Sequence, residues 1–378
     1  MILREEQILI RDSARAFAQE KLVPGAAERD RTGEPPLGLL REMGGLGFMG
    51  MTVAPEWGGA GADYLSYVLA MEEIAAGDGA VSTIMSVNNA PDCLAIERFG
   101  TGEQKEQWLK PLARGEMLGA FALTEPQAGS DASDLKTRAR PDGNGYVLNG
   151  TKQFITSGSI ADVVLAFAVT DPGAGKRGIT AFLVPTDAPG YRVLRKEQKL
   201  GQRASDTCAL QFEDLRLPGS ARLGEEGEGY RIALANLEAG RLGIAAQAVG
   251  MARAAFEAAL AYAKERKQFG HPIIGHQAIG FRLAEMATEI EVARQMLHHA
   301  ASLRDAGEPC LTEAAMAKLH ASEMAERVCS AAIQIHGGYG YLADFPVERI
   351  YRDVRVCQIY EGTSEVQKII IGRALGAG

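Results

Sequence analysis

The spacing of apolar residues changes twice along the chain, and its first part has a helical period. Ile10, Ala14 and Phe17 fall on one face of a first helix, which Pro24-Gly25 ends. The same period predicts further helices over residues 37–43, 64–76 and 81–99. The sequence therefore predicts an all-α N-terminal domain over residues 1–118.

From about residue 118 to residue 223 the pattern is extended. Short apolar runs bounded by Pro and Gly predict buried strands over residues 163–169, 179–184 and 208–212. Asn149-Gly150, between the segments 146–148 and 153–156, is the strongest short signal for a β-hairpin turn. This part is predicted to be a middle β domain over residues 119–225.

Helical spacing returns after about residue 227. Apolar stripes at intervals of three and four residues run over residues 245–263, 279–297 and 314–335. Ser364 and Gln367 have the spacing of a capping box, which predicts a fourth helix ending near residue 375. Four helices are typical of an antiparallel bundle, so we expect a C-terminal bundle over residues 226–378 and a multi-domain α+β protein.

Composition and charge narrow the functional classes. The chain of 378 residues has a net charge of −8 and no long Lys or Arg run, which argues against nucleic acid or an anionic membrane as the main partner. No apolar run approaches the ~18 residues of a membrane span. The charged N-terminus lacks the pattern of a signal peptide, so we expect a cytoplasmic protein, or a mitochondrial-matrix protein only if the chain is a processed form.

Cysteine and histidine usage predicts neither disulfides nor a metal site. The five cysteines are scattered without a C-x-x-C pair. All six histidines lie beyond residue 270, and H-E-x-x-H spacing does not occur among them.

Gly45, Gly47 and Gly50 match the dinucleotide fingerprint G-x-G-x-x-G. That motif requires a strand before it and a helix after it, whereas this one follows a predicted helix and leads into a loop. We interpret the glycines as the end of a helix and a turn.

Glu361 is the main candidate for catalytic chemistry. It lies between the bulky Tyr360 and Gly362, immediately ahead of the last predicted helix. A carboxylate on a tight turn, covered by an aromatic ring and partly desolvated, has the environment of a general base. Taken alone, the position is more typical of an acidic residue that the helix dipole favours at a helix start.

Three other segments fit either ligand binding or ordinary turn chemistry. Residues 124–131 combine Pro126 and Gly129 with hydroxyl and amide groups that can bind a phosphate or a polar ring edge. The glycine cluster 336–341 follows a predicted helix, where backbone amides can bind a pyrophosphate or simply end the helix. Arg266 ends another predicted helix, a position that the dipole also explains.

The order of these segments closely resembles the acyl-CoA dehydrogenase family over essentially the whole chain. The resemblance is carried by residues 121–126 (Phe-Ala-Leu-Thr-Glu-Pro), 265–270 (Glu-Arg-Lys-Gln-Phe-Gly), 334–338 (Gln-Ile-His-Gly-Gly) and 359–363 (Ile-Tyr-Glu-Gly-Thr). Segments 84–89, 238–241 and 313–318 are most similar to short-chain and short/branched-chain members.

The resemblance implies a fold, a cofactor and a reaction. The fold is an N-terminal all-α domain, a β-barrel-like middle domain and a C-terminal four-helix bundle, with FAD held between the middle domain and the bundle. The reaction oxidises the Cα–Cβ bond of an acyl-CoA thioester to the trans-2-enoyl form, and Glu361 matches the base that removes the α-proton. Some relatives carry the base at the position of Gly240, but here glycine occupies it.

The binding residues follow from the same resemblance. FAD contacts from the middle domain are Phe121, Leu123, Thr124, Gly129, Ser130, Phe154, Ile155 and Thr156. FAD contacts across a subunit interface are Arg266, Gln268, Phe269, His276, Gln277, Gln334, Ile335, Gly337 and Gly338, and those beside the base are Thr363, Ser364 and Glu365. Acyl-CoA contacts are Ser130, Glu238, Arg241, Tyr360 and Gly362. The family often has tryptophan at Phe154 and glycine at Gln127, so we expect altered flavin tuning and a changed loop.

The implied partners are an acyl-CoA of short to medium chain length, 2-methyl-branched chains included, and electron transfer flavoprotein as electron acceptor. A homotetramer is expected, with a role in fatty acid β-oxidation or branched-chain amino acid degradation. Two alternatives stay open: a flavin oxidase or monooxygenase on the same fold, and a non-catalytic flavin-binding subunit.

Overall fold

The first part of the chain is helical, as its apolar period predicts; the computed structural model describes residues 2–377. Its helices are α1 Glu5–Phe17, α2 Ala26–Thr32, α3 Leu37–Gly45, α4 Tyr64–Gly77, α5 Gly79–Val87, α6 Leu94–Phe99, α7 Gly102–Gln104 and α8 Lys110–Ala113. In α1, Ala14 and Phe17 are buried, and a π-helical turn over Ala18–Leu22 extends the helix toward Pro24. Gly45 is the last residue of α3 and Gly47 (φ +81°) lies in the turn after it, in line with the turn interpretation of the glycine motif.

The helix predicted over residues 81–99 is wrong as one continuous element. It is divided into α5 and α6 by the segment Asn88–Cys93, in which Ala90 has an extended backbone (φ −144°, ψ 111°). The reason is Pro91, because a proline lacks an N–H donor and disfavours helical geometry in the residue before it.

The middle part forms an eight-stranded sheet. Its strands are β1 Gly119–Ala122, β2 Arg138–Asp142, β3 Gly145–Thr156, β4 Val163–Val169, β5 Ile179–Pro185, β6 Tyr191–Lys196, β7 Thr207–Pro218 and β8 Arg222–Leu223. They pair in the order β6-β7-β3-β2-β4-β5-β8, and β1 pairs in parallel with β4. The three predicted buried strands are confirmed within β4, β5 and β7. The apolar pattern did not predict β1, β2, β6 or β8, and β6 is largely exposed.

The predicted hairpin turn at Asn149-Gly150 is wrong. Both residues lie inside the continuous strand β3, and the chain reverses instead between Asp142 and Gly145, where Gly143 has φ +61°. Glycine is needed at position 150 for another reason. A Cβ there would lie 2.3 Å from Thr137 Oγ1, so the bare backbone permits a close approach of the preceding chain.

The last part is a helical bundle with one helix beyond the four predicted. Its helices are α9 Gly229–Glu265, α10 Gln277–Asp305, α11 Leu311–His336, α12 Pro346–Val354 and α13 Ser364–Ala374. A two-stranded ribbon of β9 Lys267–Gln268 and β10 His271–Pro272 lies between α9 and α10. The unpredicted helix is α12, which begins at a proline, a residue well suited to a first helical position.

The predicted capping box of Ser364 and Gln367 is also wrong. Thr363 is the N-cap residue of α13, and its side chain accepts a hydrogen bond from the backbone N–H of Val366. Ser364 is the first helical residue. Gln367 donates its side-chain amide to the carbonyl oxygens of Glu361 and Gly362, so it stabilises the turn before the helix.

The long helix α9 connects the two helical parts into one core. It packs against α4 and α5 on one side and against α10 and α11 on the other, and its contact face is largely alanine and glycine. Small side chains let helix backbones approach closely, which brings the turn before α13 next to α9 and α4. Over residues 2–377, no helix is long and apolar enough to cross a membrane.

Candidate active site

The turn before α13 has a strained backbone that neighbouring side chains hold in place. Glu361 has φ +54°, in the left-handed region that non-glycine residues rarely occupy, and Gly362 follows with φ +86°. Lys318 of α11 donates a hydrogen bond of 2.7 Å from Nζ to the Gly362 carbonyl oxygen, and Gln367 donates to the same atom at 2.9 Å. Strain of this kind clusters at functional sites, where the surrounding structure fixes a particular side-chain direction.

The Glu361 carboxylate is directed into the interior. Its Oε2 atom is buried and has no hydrogen-bond partner in the described chain. Burial raises the pKa of Glu361 to about 7, although the positive charges of Arg241 and Lys318 act in the opposite direction. A carboxyl group with a pKa near neutrality can both accept and release a proton at physiological pH.

Two glycines of α9 make room around this carboxylate. A Cβ at Gly240 would lie 2.7 Å from Glu361 Oε2. One turn later, a Cβ at Gly243 would lie 2.8 Å from the Tyr67 hydroxyl and 2.9 Å from Ser86 Oγ. The Tyr67 hydroxyl is buried and likewise unpartnered among residues 2–377, so the bare backbone of α9 faces a row of polar atoms that could contact a substrate.

The predicted acyl-CoA contacts on α9 differ in their surroundings. Arg241 is buried beside Glu361, its Nε atom is unpartnered among the described residues, and burial lowers its pKa. Glu238 instead forms an ion pair of 3.1 Å with Arg304 of α10. Tyr360 is placed by a hydrogen bond from its hydroxyl to Gln247, also on α9.

The structure brings the predicted middle-domain FAD contacts together at one end of β1 and β3. The backbone N–H of Gln153 donates to the Thr124 carbonyl oxygen (2.9 Å), which joins the loop after β1 to the segment 154–156. Phe154 has φ +59° and is 64% exposed, an unusual position for a large apolar ring. Such exposure is typical of a surface that a ligand covers.

A buried ion pair supports this loop. Lys152 Nζ lies 2.8 Å from Glu125 Oε1, and both side chains are at most 1% exposed. Glu125 also accepts hydrogen bonds from the backbone N–H groups of Lys136 and Thr137. Burial alone would raise the pKa of Glu125, but the charge of Lys152 and these hydrogen bonds outweigh it and hold the pKa at about 2. Gln127, the departure from the family pattern, donates to Glu125 (2.8 Å) and so contributes to the same loop.

Most of the predicted bundle contacts line a second region, a cavity of about 550 Å³ between α9, α10 and α11. The predicted residues that line it are Arg266, Gln268, Phe269, His276, Ile335, Gly337 and Gly338. Gln277 and Gln334 are not part of its lining; they lie at the start of α10 and near the end of α11. Arg266 stacks over the Tyr339 ring at 5.4 Å, and Gly337 and Gly338 leave open space where a Cβ would stand.

The predicted residues beside the base differ in their positions. Thr363 caps α13, Ser364 has a buried hydroxyl without a partner in the described chain, and Glu365 is exposed. Ser130 and Gly129 lie on the loop after β1, where Ser130 is exposed.

Several groups near Glu361 were not predicted from the sequence. Lys318, Tyr67 and Asp92 come from three separate segments, and their relation to Glu361 depends on tertiary packing. Of the three, Lys318 could have been noticed in the sequence, because it is a charged residue within the alanine-rich stripe that forms the buried face of α11.

Models of one family match the chain in succession. The acyl-CoA dehydrogenase N-terminal domain matches residues 4–116, the middle domain residues 120–215 and the C-terminal domain residues 227–376. The chain belongs to the acyl-CoA dehydrogenase family. The fold expected from the resemblance is thereby confirmed.

Individual relatives are similar over nearly their full length. The mitochondrial short-chain specific acyl-CoA dehydrogenase of Bos taurus is 48% identical over 369 residues, which are 98% of this chain and 90% of the relative. Butyryl-CoA dehydrogenase from Megasphaera elsdenii has a TM-score of 0.97 and 44% identity, with 99% of each chain covered. A chain from the electron transferring flavoprotein structure of Acidaminococcus fermentans has a TM-score of 0.98 and 46% identity, also with 99% of each chain covered.

As a member of this family, the chain is an FAD-dependent oxidoreductase. Both groups of residues fit this cofactor. The cavity combines the Arg266 cation, aromatic rings and the open backbone of Gly337 and Gly338, which suits a pyrophosphate and an adenine ring. The exposed Phe154 ring beside Thr124 offers a flat apolar surface of the kind a flavin ring covers.

Proposed function

We propose that this acyl-CoA dehydrogenase oxidises short- to medium-chain acyl-CoA thioesters, and that Glu361 is the catalytic base. The observation that carries the proposal is the Glu361 Oε2 atom, buried without a partner in the described chain and facing the bare backbone of Gly240. A residue with a Cβ at that position would displace the carboxylate. The bare backbone of Gly240 therefore makes room for the carboxylate, and Oε2, which has no partner among residues 2–377, is available to the α C–H of a bound thioester.

The residues of the chain account for the proton transfer. An α C–H is a weak acid, so its removal requires a base of suitable pKa together with stabilisation of negative charge on the thioester oxygen. Glu361 supplies the base, and we assign to its backbone N–H the hydrogen bond to that oxygen. Lys318 and Gln367 hold the turn, so the carboxylate and the backbone N–H keep their relative positions.

FAD supplies the hydride acceptor for the β-carbon when it is bound. The residues that would hold it are the middle-domain group around Thr124 and Phe154, together with the bundle group around Arg266 and Gly337. We propose that the two groups of one site come from different subunits of a homotetramer. The large exposed rings Phe154 (64%) and Phe269 (92%) support this arrangement, because such rings are usually covered by a ligand or a partner.

The names of the relatives support two further proposals, the length of the acyl chain and the electron acceptor. Short-chain specific and butyryl-CoA dehydrogenases at 44–48% identity favour a short acyl chain. We propose a role in fatty acid β-oxidation or in the degradation of branched-chain amino acids from the family resemblance. The similar chain in an electron transferring flavoprotein structure favours that flavoprotein as the electron acceptor. We further propose a cytoplasmic location.

An anaerobic titration tests the proposed reaction. The visible spectrum of the FAD-loaded protein is recorded while butyryl-, 2-methylbutyryl-, isovaleryl-, octanoyl- and palmitoyl-CoA are added one at a time. Bleaching of the flavin by a short-chain thioester is expected. A yellow protein that none of them bleaches would contradict the proposed reaction, and peroxide formed at the rate of substrate oxidation in air would identify an oxidase instead.

The Glu361→Gln variant tests the base. It should retain flavin and ligand binding, because the amide has the size of the carboxylate, but reduce the rate of flavin bleaching by about 10²–10⁴-fold. Glu106→Gln, at an exposed glutamate that pairs with Lys110, is the matched control and should bleach at the wild-type rate. Turnover retained in Glu361→Gln would overturn the assignment.

A further inference from the structure

Asp92 is a buried carboxyl group whose hydrogen-bonding capacity is unused within residues 2–377. The residue is 2% exposed, and neither carboxyl oxygen has a hydrogen-bond partner there. An unpartnered carboxyl group in the interior is one of the more costly arrangements in a folded protein. It therefore requires a functional or structural explanation.

The other polar side chains of the same segment are fully used. Asn88 donates to two backbone carbonyl oxygens and accepts from one backbone N–H, and Asn89 does the same with a different set of partners. These two amides hold the Asn88–Cys93 segment against the N-terminal helices. Asp92 takes no part in that network, so a structural role does not explain it.

The carboxyl group of Asp92 packs against the first residue of the strand that leads to the flavin loop, within range of the charge of the proposed base. A Cβ at Gly119, the first residue of β1, would lie 2.5 Å from Asp92 Oδ2, so glycine there makes room for the carboxyl group. Burial raises the pKa of Asp92 well above its usual range, and the negative charge of Glu361 raises it further. The helix that carries Gly240 also packs against this segment.

We propose that Asp92 is a specificity-determining residue that binds a hydrogen-bond donor on the tail of the acyl group. The inference rests on the proposed acyl-CoA dehydrogenation at Glu361. A carboxyl group has an acceptor oxygen in both protonation states, whereas it has an O–H donor only when protonated, so a donor such as a hydroxyl or an amine is the substrate group that complements it in either state.

The reaction itself limits where that donor can be. The α- and β-carbons each lose a hydrogen, so the donor must stand on the fourth carbon of the acyl chain or beyond. The inferred substrates are therefore short acyl thioesters with a polar tail, and plain alkyl thioesters are the poorer ones. A site built to hydrogen-bond a substrate group discriminates strongly against an analogue that lacks it, because its own polar atoms are then left unpaired.

The experiment uses the FAD-loaded enzyme and compares two thioesters of equal size with a third that is one methyl group longer. In 4-hydroxybutyryl-CoA a hydroxyl replaces the terminal methyl of pentanoyl-CoA, and 4-methoxybutyryl-CoA keeps the oxygen but cannot donate. The rate constant of anaerobic flavin bleaching divided by the apparent Kd is measured for each. We expect 4-hydroxybutyryl-CoA to exceed both others by on the order of 10- to 100-fold in the wild type.

Variants connect the preference to Asp92. Asp92→Leu should reverse the ratio of 4-hydroxybutyryl-CoA to pentanoyl-CoA, whereas Asp92→Asn, which retains an acceptor oxygen, should keep it above one. Cys93→Ala is the matched control, because the Cys93 thiol faces Met49 and Asn88, and it should leave the ratio unchanged.

The outcomes distinguish the role of Asp92 from the proposed dehydrogenation. A wild-type ratio at or below one overturns the role of Asp92, and so does an unchanged ratio in Asp92→Leu; the wild-type ratio decides alone if that variant does not fold. Bleaching by pentanoyl-CoA in the same series would leave the proposed dehydrogenation standing. Bleaching by none of the thioesters would overturn the dehydrogenation and with it the inference.

Discussion

Lys318 has two effects on the Glu361 turn, one geometric and one electrostatic. Its Nζ atom donates to the Gly362 carbonyl oxygen at 2.7 Å, and its charge lowers the pKa of Glu361 against the effect of burial. Burial also lowers the pKa of Lys318 itself, to about 8. The lysine is therefore a positioning residue. By lowering the pKa of Glu361, it also favours the deprotonated form of the proposed base at neutral pH.

The pH dependence of flavin bleaching tests this role. The base must be deprotonated, so the rate in the wild type should rise with pH and reach half of its maximum near pH 7, the pKa of Glu361. Lys318→Met removes a positive charge, which raises the pKa of Glu361 and should move this rise to higher pH by about one unit. Lys318→Arg should restore most of the wild-type profile. A purely structural role would lower the rate at every pH without moving the midpoint.

Gly240 offers a test of the space beside the base. In Gly240→Ala the added Cβ would lie 2.7 Å from Glu361 Oε2, the end of a flexible side chain, so the carboxylate rather than the helix should move. Displacement of a catalytic group by about 1 Å lowers rates by on the order of 10²-fold. We expect that loss in the bleaching rate with no fall in melting temperature.

The matched control for this variant is Gly38→Ala in α3, where a new Cβ meets open space. Both substitutions replace a helical glycine, which should stabilise each helix by up to about 1 kcal/mol. Full activity in Gly240→Ala would show that the carboxylate does not need its present position.

At the scale of single elements, β3 supports the loop that contacts the flavin in the proposed site. Lys152 and Glu125 form a buried ion pair, so removing one partner leaves an uncompensated charge in the interior. Lys152→Met should lower the free energy of unfolding by about 3–5 kcal/mol and release FAD. Urea unfolding and the retained flavin absorbance measure the two effects.

Two variants make this prediction specific. The double variant Lys152→Met/Glu125→Gln has no unpaired charge, so it should recover part of the lost stability. Lys136→Met breaks an exposed pair with Asp134 and should change stability by less than about 1 kcal/mol. Equal losses in Lys136→Met and Lys152→Met would contradict a special role for the buried pair.

The elements also show what the sequence could predict. Apolar stripes predicted the bundle helices and apolar runs predicted the buried strands, because a buried helix face or strand requires apolar residues at regular positions in the sequence. Asn149-Gly150 misled the prediction because the requirement for Gly150 comes from Thr137 on the preceding chain, which no local pattern contains. The break at Ala90-Pro91 was visible in the sequence, and the apolar period outweighed it.

The residues of the candidate site likewise include some that the sequence predicted and some that it did not. Glu361 was predicted because its turn and the following helix form one continuous segment that resembles the family. Lys318 and Asp92 belong to α11 and to the break after α5, and only packing brings them near Glu361. The charge of Lys318 lowers the pKa of Glu361, and the charge of Glu361 raises the pKa of Asp92. Charge interactions between distant segments leave no periodic signal in a sequence.

At the scale of the whole molecule, the two groups of proposed FAD contacts belong to different regions of one chain. The middle-domain group surrounds Thr124 and Phe154, and the bundle group lines the cavity around Arg266. No hydrogen bond or ion pair joins the groups within residues 2–377. An interface between two subunits related by two-fold symmetry would bring each group to its counterpart on the other chain.

Mixed assemblies test this arrangement. Glu361→Gln removes the proposed base, and Arg266→Ala removes a cation of the bundle group, so each variant alone should be nearly inactive. In two-fold pairs assembled at random, half contain one chain of each kind, and one of their two sites then combines an intact base with an intact Arg266. Co-expression with two affinity tags should therefore recover about a quarter of the wild-type sites.

The control for mixed assembly pairs two variants on the same side of the site. Glu361→Gln with Gly240→Ala should give no more than the sum of the separate activities. In the proposed arrangement Glu361 and Gly240 of one site come from the same chain, so every site in a mixed assembly carries one of the two substitutions. The amplitude of the phase that bleaches at the wild-type rate with butyryl-CoA counts the intact sites directly. If Glu361→Gln and Arg266→Ala together also give only their sum, both groups of each site belong to one chain, and the Phe154 and Phe269 rings must be covered in some other way.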